Sequence, residues 1–306
     1  MSLLADPNVI AWPLEAIWQA TEPDLPGFTC EVLPEVDSTN TELMRRFKAG
    51  RLEPTLLVAE KQTAGRGRLG RQWHGGRHGS LMFSLGLKLA PADWSGLSLA
   101  VGVSLAESLD AHCHADHRIG LKWPNDLWLQ TRTKHGFDER KLGGVLVETA
   151  SFDNARFVVV GVGINVKPVA LAAQHELSGQ PQASPVPTQI APGCLQELAP
   201  EADAATTLLC VLPALVQTLL AFEQFGFVPF QARFARRDVL AGRHVLLSGG
   251  KPGVSGQAHG VTESGALLVH TANGMSEITS SEVSVRPVPG QTLVTPVASV
   301  AGLPPC

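Results

Sequence analysis

The sequence lacks the features by which secreted and membrane-bound proteins are usually recognised. Its cysteines, at positions 30, 113, 194, 210 and 306, are odd in number and include no Cys-x-x-Cys pair, which argues against a disulfide framework. The N-terminus has no basic residue followed by an apolar run, so no secretory signal is predicted. No apolar stretch approaches the roughly 18 residues of a membrane span. We therefore expect a soluble, cytoplasmic protein without a membrane partner.

An excess of positive charge is also absent. The formal net charge of −4 gives no global reason to expect nucleic acid or an anionic membrane as a partner. Any site for an anion must therefore be a local feature. The chain has 306 residues, of which 44% are hydrophobic. This is enough for a sizeable core and for two domains, or one large domain with an appendage.

The hydrophobic pattern predicts an alternation of helices and strands up to residue 237. Residues 1–28 form a leader with helix-like spacing of its apolar residues, and 168–204 form a long, irregular connection. Residues 131–140 are polar and are predicted to be a loop. Helices are predicted at 41–49, 97–109 and 205–225. Strands are predicted at 29–33, 55–60, 80–89, 119–123, 126–129, 142–148 and 157–164.

The character of the chain changes after residue 238. Short strands alternate there with turn signals, and Asn273-Gly274 between two such strands is a strong hairpin signal. Roughly 50 residues of this kind indicate a small β-barrel of the SH3 type. We expect two domains, 1–237 and 238–306.

The most informative stretch is a glycine- and arginine-rich loop that runs from Gly65 to Arg71. Its glycines, Gly65, Gly67 and Gly70, let the backbone approach a ligand closely. The interleaved arginines, Arg66, Arg68 and Arg71, supply fixed positive charge and paired donors for phosphate or carboxylate. We expect the loop to become ordered when an anionic ligand arrives.

Other interpretations of this loop are weaker. It satisfies the Gly-x-Gly-x-x-Gly pattern, but a dinucleotide site needs a helix afterwards, and residues 80–89 look extended. A P-loop fits less well still, because no Gly-Lys-Ser/Thr ends the motif. A solvated basic loop remains open, and a nucleic-acid patch is disfavoured by the acidic overall charge.

Two lysine-containing segments follow the loop. Lys122-Trp123-Pro124-Asn125-Asp126 ends an apolar strand in a turn, which would aim Lys122, Asn125 and Asp126 toward one place. There the lysine could neutralise phosphate while Asn125 and Asp126 hold Mg²⁺. Lys141 stands beside Gly143 and Gly144 and could reach a ligand lying against bare backbone. An ordinary turn and a surface lysine are the plain alternatives.

Two further residue types allow either a binding or a structural role. Trp73 and Trp123 could stack on a nucleotide base or fill the core, and the sequence does not decide between these roles. Asn165, at the end of a buried strand, could contact a ligand or cap a turn.

Taken in order, these segments resemble the biotin protein ligases. The similarity covers roughly residues 30–166, and the C-terminal hairpins fit the small β-barrel of that family. No single motif is unique, but the series in this order is highly specific. It comprises Ser38-Thr39-Asn40, the segment from Gln62 to Trp73, Lys122–Asp126, Lys141–Glu148 and Gly161–Val166.

The resemblance implies an α+β catalytic domain with a mixed sheet, related to class II synthetases, and a small C-terminal SH3-like β-barrel. It implies biotin contacts from Ser38, Thr39, Asn40, Gln62, Arg66, Gly67, Arg68 and Lys141. It implies contacts to ATP and its phosphates from Arg68, Arg71, Lys122, Asn125 and Asp126, with Arg286 as a further candidate. The predicted catalytic residues are Arg68, Lys122 and Lys141. Gly65, Trp73, Gly143, Gly144 and Asn165 complete the predicted site, and Asp126 is its metal ligand.

The resemblance also implies the reaction. Biotin and ATP, with Mg²⁺, would give biotinyl-5′-AMP, and the biotin would pass to a lysine of a biotin carboxyl carrier protein. We expect no DNA binding, because the residues before Ser38 are too few for a winged helix of roughly 60 residues. A homodimer is a further possibility that the sequence does not support by itself.

Three rival functions stay open. A lipoate–protein ligase would share the fold and the adenylation chemistry, although the glycine–arginine loop and the Lys122–Asp126 turn favour biotin. A non-enzymatic regulator would bind biotin or its adenylate without transferring it. A generic anion-binding module would release no pyrophosphate.

Overall fold

A seven-stranded mixed sheet forms the larger part of the protein. The computed structural model describes residues 10–76, 79–110, 117–134, 136–152, 155–168, 192–248, 255–279 and 284–287. The strand order is β1-β2-β3-β7-β6-β5-β4, in which β1 and β2 are parallel and the other neighbours antiparallel. The strands are β1 (Thr29–Leu33), β2 (Thr55–Ala59), β3 (Ser80–Lys88), β4 (His117–Lys122), β5 (Asp126–Thr133), β6 (Gly136–Phe152) and β7 (Ala155–Asn165).

Helices cover both faces of this sheet. They are α1 (Leu14–Thr21), α2 (Thr39–Lys48), α3 (Leu97–Asp110), α4 (Ala204–Phe225) and α5 (Val228–Ala235). Helix α2 packs on one face, where Leu43 and Phe47 meet Leu57, Phe157 and Val159 in a small apolar cluster. Helices α3 and α4 build the main core on the other face. The central strand β3 is consequently buried along almost its whole length.

Helix α4 is the most apolar element of the chain. By length and composition alone it is the one helix in the described part of the protein that could cross a membrane, which corrects the expectation that no stretch approaches such a length. One such helix is weak support for a membrane span. Leu208, Leu212, Leu215 and Leu219 are buried in the core, and the helix packs against α1, α3 and β3. Its apolar character is that of a core helix.

A second, five-stranded antiparallel sheet follows. Its order is β11-β10-β9-β8-β12. The strands are β8 (His244–Ser248), β9 (Ser255–Val261), β10 (Leu267–Thr271), β11 (Gly274–Ile278) and β12 (Ser284–Pro287). The predicted hairpin at Asn273-Gly274 is present between β10 and β11. Val245, Ala258, Leu267 and Val269 join the main core, so the barrel is packed onto the larger part of the molecule.

The fold confirms the mixed α+β class. It differs from the predicted elements at helix α5, Val228–Ala235, which was not predicted, and between residues 131 and 140. Residues 131–133 and 136–140 lie in the segment predicted to be a loop, but they are the ends of β5 and β6, which pair from Thr133↔Gly136 onward. The polar composition suggested a loop because this hairpin carries partly buried ion pairs. Within 168–204, residues 169–191 lie outside the described part, and 192–203 contain only a short helical turn at Leu195–Glu197. The domain boundary at 237/238 stays a prediction.

Candidate active site

The first wall of the candidate site is the N-terminal turn of α2. Ser38 caps the helix, since its Oγ accepts a hydrogen bond from the Thr41 N–H at 3.4 Å. The Thr39 N–H donates to Oε1 of Gln62 at 2.8 Å. The side chains of this turn, Ser38, Thr39 and Asn40, are each 3% exposed. Polar groups are therefore buried here in fixed orientations, as selective ligand binding requires.

Asn40 is the most constrained member of this wall. Its Nδ2 donates to the Leu146 carbonyl at 3.2 Å and to Oε2 of Glu148 at 3.0 Å. Its Oδ1 lies 2.6 Å from the Ser84 hydroxyl, which is also 2.7 Å from the Thr39 hydroxyl. A Cβ at Gly161 would lie only 2.1 Å from this Oδ1, so glycine is required at that position.

Two contributors to this wall, Ser84 and Glu148, were not assigned a role from sequence. Ser84 is fully buried and sits between Thr39 and Asn40. The available signal was a hydroxyl inside the otherwise apolar strand β3, because buried hydroxyls need partners. Glu148 accepts from Asn40 and forms an ion pair with Arg66 at 2.9 Å.

The glycine–arginine loop folds back on itself as a short hairpin. The Trp73 N–H donates to the Gly65 carbonyl at 2.9 Å, and the Gly67 N–H donates to the Arg71 carbonyl at 2.7 Å. At the tip, Leu69 has φ 57° and Gly70 has φ 72°, the left-handed backbone that closes the turn. The side chains of Arg66, Arg68 and Arg71 thus project from a compact loop.

Arg68 is the arginine of the loop most affected by its surroundings. Burial lowers the pKa of its guanidinium, Arg71 lowers it further, and Asp126 acts in the opposite direction. Arg68 is partly buried and Arg71 beside it is exposed, and the two neighbouring cations repel each other. An anionic ligand between them would relieve that repulsion, so the loop is suited to hold phosphate or carboxylate.

The Lys122–Asp126 turn joins β4 to β5 and faces the loop. The Trp123–Pro124 peptide bond is cis. Nδ2 of Asn125 donates to the Val145 carbonyl at 2.7 Å, and the Val145 N–H donates back to the Asn125 carbonyl at 2.9 Å. Nζ of Lys122 lies 4.7 Å from the centroid of the Trp128 ring. Asn125 thus holds the turn in place by its two hydrogen bonds with Val145 of β6.

Lys141 and Asp126 form an ion pair at the bottom of the site. Nζ of Lys141 lies 2.7 Å from Oδ1 of Asp126, and both side chains are partly exposed. A Cβ at Gly144 would make only ordinary contacts with these two side chains. Gly143, in contrast, is pressed against β7, since a Cβ there would lie 2.5 Å from the Gly163 carbonyl oxygen.

These elements enclose one cavity of about 160 Å³. Trp73 forms part of its wall and packs so closely on Gly163 that a Cβ there would lie 2.5 Å from the indole ring. The predicted residues that line the cavity are Ser38, Thr39, Asn40, Gln62, Arg66, Gly67, Arg68, Arg71, Trp73, Lys122, Asn125, Asp126, Lys141 and Gly144. The sequence segments that are far apart in the chain therefore meet around one space.

Four predicted site residues are placed elsewhere or not described there. Gly65 is buried behind Trp73, and Gly143 faces β7. Asn165 is 5% exposed, and its Nδ2 donates to the Gly193 carbonyl at 3.1 Å. Of the two roles that the sequence allowed, a ligand contact or a backbone contact at a turn, the structure shows a backbone contact. Arg286 lies on β12, and its side chain is outside the described part of the structure. Ligand contacts from these residues stay predictions.

Comparison with known proteins agrees with this architecture. Residues 32–165 match the biotin/lipoate A/B protein ligase family, and residues 241–286 match the biotin protein ligase C-terminal domain. The bifunctional ligase/repressor BirA of Escherichia coli is 34% identical over 266 residues, which are 86% of this chain and 75% of that protein. The biotin–[acetyl-CoA-carboxylase] ligase of Paracoccus denitrificans is 29% identical, over 82% of this chain and 98% of that protein.

A solved structure shares the fold. The biotin protein ligase of Aquifex aeolicus, in complex with biotin and ATP, superimposes with a TM-score of 0.64 at 31% identity, covering 85% of this chain and 99% of that one. The mixed sheet and the arginine-rich cavity therefore define a protein ligase of the biotin and lipoate class. With the matching C-terminal domain, the chain belongs to the biotin protein ligase family.

Proposed function

We propose that this protein activates biotin with ATP to form biotinyl-5′-AMP and transfers the biotin to a lysine of a biotin carboxyl carrier protein. One observation carries the proposal. The buried polar turn of α2, the arginine loop and the cationic pair Lys122 and Lys141 line the same cavity. The E. coli and P. denitrificans relatives are named for ligase activity, the latter on acetyl-CoA carboxylase.

The cavity is lined by neutral polar side chains and by cations. Among the polar residues, Thr39, Asn40 and Gln62 are held in fixed orientations by hydrogen bonds within the protein. These groups suit the ureido ring of biotin, whose N–H and C=O groups need partners when they leave water. Lys141 then lies toward the carboxylate of the valeryl chain, where its ammonium would be attracted to the negative charge.

The first step joins two anions. An oxygen of the biotin carboxylate attacks the α-phosphorus of ATP, the new P–O bond forms, and the bond to pyrophosphate breaks. Arg68, Arg71 and Lys122 would offset the repulsion between the reactants and stabilise the charge of the transition state. No nucleophile from the protein is needed, because positioning and electrostatics are sufficient for such a displacement.

The oxygen ligands that the site offers are suited to a magnesium ion held mainly by the phosphates of ATP. Asp126 supplies a carboxylate, which is paired with Lys141, and the described residues contain no group of three His, Cys, Asp or Glu side chains that could hold a metal alone. Magnesium commonly uses one or two carboxylates and substrate phosphates in this way. Asp126, with Asn125 beside it, would hold an ion that neutralises phosphate charge.

The second step transfers biotin to the carrier. The neutral amine of the carrier lysine attacks the carbonyl carbon of the mixed anhydride, an amide bond forms, and AMP leaves with the electron pair of the broken C–O bond. Between the two steps the anhydride must be kept from water. The loop from Gly65 to Trp73 lies over the cavity and would cover it.

The decisive experiment measures transfer of labelled biotin to a carrier domain in the presence of ATP and Mg²⁺. We expect ATP-dependent labelling of the carrier and one pyrophosphate for each biotin transferred. Pyrophosphate release with lipoate in place of biotin would identify a lipoate ligase. Biotin binding without transfer would identify a regulator, and no pyrophosphate with either acid would leave only an anion-binding module.

The finer partner assignments are part of the same proposal. Cys30, Cys194 and Cys210 are free thiols, in keeping with a reducing compartment such as the cytoplasm. The absence of DNA binding and a possible homodimer stay predictions. A mobility-shift assay and sedimentation at several protein concentrations would test them.

A further inference from the structure

We propose that Trp123 is a positioning residue through which the C-terminal barrel fixes the Lys122–Asp126 turn for binding of ATP. This inference rests on the proposed function, because it assigns the turn to ATP phosphate. It concerns a contact between the two sheets of the molecule, made by a residue that also forms part of the cavity wall.

The contact is a buried hydrogen bond from the Lys122–Asp126 turn to the C-terminal barrel. Trp123 is 2% exposed, and its indole N–H donates to the Gly265 carbonyl at 2.9 Å. Gly265 belongs to the turn between β9 and β10, where its own N–H donates to the Thr262 carbonyl at 2.9 Å. The acceptor is thus held in place by the backbone of the barrel.

Gly265 is also pressed against the start of α3. It has φ 80°, and a Cβ there would lie 2.8 Å from Cα of Gly96. Close to this point the Ser98 hydroxyl donates to the Pro124 carbonyl at 3.0 Å. One packed junction is therefore formed by the turn between β9 and β10, the start of α3 and the Lys122–Asp126 turn. A displacement of the turn between β9 and β10 would therefore disturb Trp123 and Pro124.

The junction contains Trp123 and Pro124, which lie between Lys122 and Asn125, two residues assigned to ATP. Lys122 precedes Trp123 directly, so a movement of the indole moves the lysine backbone. The bonds that hold the α2 turn come from Gln62, Ser84 and Glu148, which belong to the large sheet and its loops. Loss of the junction should therefore weaken the use of ATP much more than the affinity for biotin, to which the turn is linked through the Asp126–Lys141 pair.

The test replaces the indole by an aromatic ring without an N–H. Trp123→Phe removes the donor and keeps most of the apolar packing. Trp18→Phe is the matched control, since the Trp18 indole also donates to a backbone carbonyl, that of Phe28 at 3.2 Å, away from the cavity. In pyrophosphate-release kinetics we expect kcat/KM for ATP to fall about five- to twentyfold in W123F and less than about twofold in W18F. The biotin Kd from calorimetry should stay within about twofold of that of the parent protein.

A second pair of variants approaches the contact from the barrel. Gly265→Ala introduces both a strained φ and a clash with Gly96, whereas Gly260→Ala has φ 85° and open space around the added Cβ. We expect G265A to lower kcat/KM for ATP as W123F does, and the double variant to lose little more than either single one. G260A should resemble the parent protein in kcat/KM.

The outcomes separate this inference from the proposed function. If the parent protein releases no pyrophosphate with biotin and ATP, the proposed function fails, and this inference falls with it. If the parent is active but W123F matches W18F and G265A matches G260A, only the positioning role is wrong. Equal losses in ATP and biotin affinity would also overturn it, because they would indicate a general structural defect.

Discussion

Asp238 is a buried acid whose charge should depend on pH within the physiological range. Its side chain is 7% exposed, and burial raises its pKa from 3.8 to about 6, although the Leu240 N–H, which donates to it at 2.8 Å, and Arg243 act in the opposite direction. Between these values the folded protein binds more protons than the unfolded chain. Its contribution to stability is therefore present below pH 3.8 and is lost as the pH rises through about 6.

We predict that Asp238→Asn becomes progressively more stable than the parent protein as the pH rises. The amide keeps an acceptor for Leu240 and carries no charge. Urea unfolding should show a difference in free energy that grows by roughly 1–3 kcal/mol between about pH 4.5 and 7.5. Asp93→Asn is the matched control, because Asp93 accepts from Ser95 in the same local geometry but is exposed. A difference that does not vary with pH would contradict the prediction.

Lys141 provides the second prediction at this scale. Lys141→Ala should weaken biotin binding about 10- to 100-fold, because a charge-assisted contact to the biotin carboxylate is removed and Asp126 is left without its cation. Titration calorimetry without ATP measures this directly. Lys61→Ala is the control, since Lys61 pairs with Glu35 at a site where both side chains are about half exposed. Unchanged affinity in K141A would remove Lys141 from the biotin site.

Single residues could be proposed from sequence more readily than their partners. The cations of the site, Arg68, Lys122 and Lys141, are predicted because each lies in a segment that resembles the family, although each segment alone also allows a structural role. Asn165 was ambiguous because an amide can serve a ligand or a backbone equally well, and only the position of Gly193 gives it a partner. Ser84 and Glu148 were not assigned a role because their partners come from distant elements.

At the scale of elements, the β5–β6 hairpin shows why a polar strand was predicted to be a loop. Glu139 on β6 accepts two hydrogen bonds from Arg243, at 2.6 and 2.7 Å, and one from Gln130 at 2.5 Å. The paired side chains are only 14% and 12% exposed. A strand with such residues has the sequence of a loop, because the pattern cannot show that its charges are neutralised by a segment about a hundred residues later.

This ion pair predicts a large effect of one truncation. Glu139→Ala should lower the free energy of unfolding by about 2–3 kcal/mol, because the largely buried guanidinium of Arg243 loses its carboxylate. Glu35→Ala removes an exposed ion pair instead and should cost less than about 1 kcal/mol. Urea unfolding of the two variants and the parent protein gives the comparison. Similar losses in both variants would show that the Glu139 pair is no better shielded from solvent than the exposed pair.

At the scale of the whole molecule, ligands should stabilise the protein in two stages. A ligand at 100 times its Kd adds about 2.7 kcal/mol to the stability of the folded state. Biotin alone should raise the midpoint of thermal unfolding. Biotin with ATP and Mg²⁺ should raise it further, because the adenylate would contact both the residues assigned to biotin and those assigned to ATP. A chelator should abolish the second increment and leave the first. Persistence of the second increment without metal would contradict the role assigned to Mg²⁺.

Local patterns in the sequence determined most of the elements and the cationic character of the site, since alternating apolar residues, helix caps, glycine turns and clustered arginines act through neighbours in the chain. The fold class and the reaction were implied by the resemblance of the ordered motifs to the biotin protein ligases. The tertiary structure decided what depends on distant pairs. It placed Glu139 against Arg243, Ser84 between Thr39 and Asn40, and the Trp123 indole on the barrel, because packing and burial bring together segments whose relation leaves no periodic trace in the sequence.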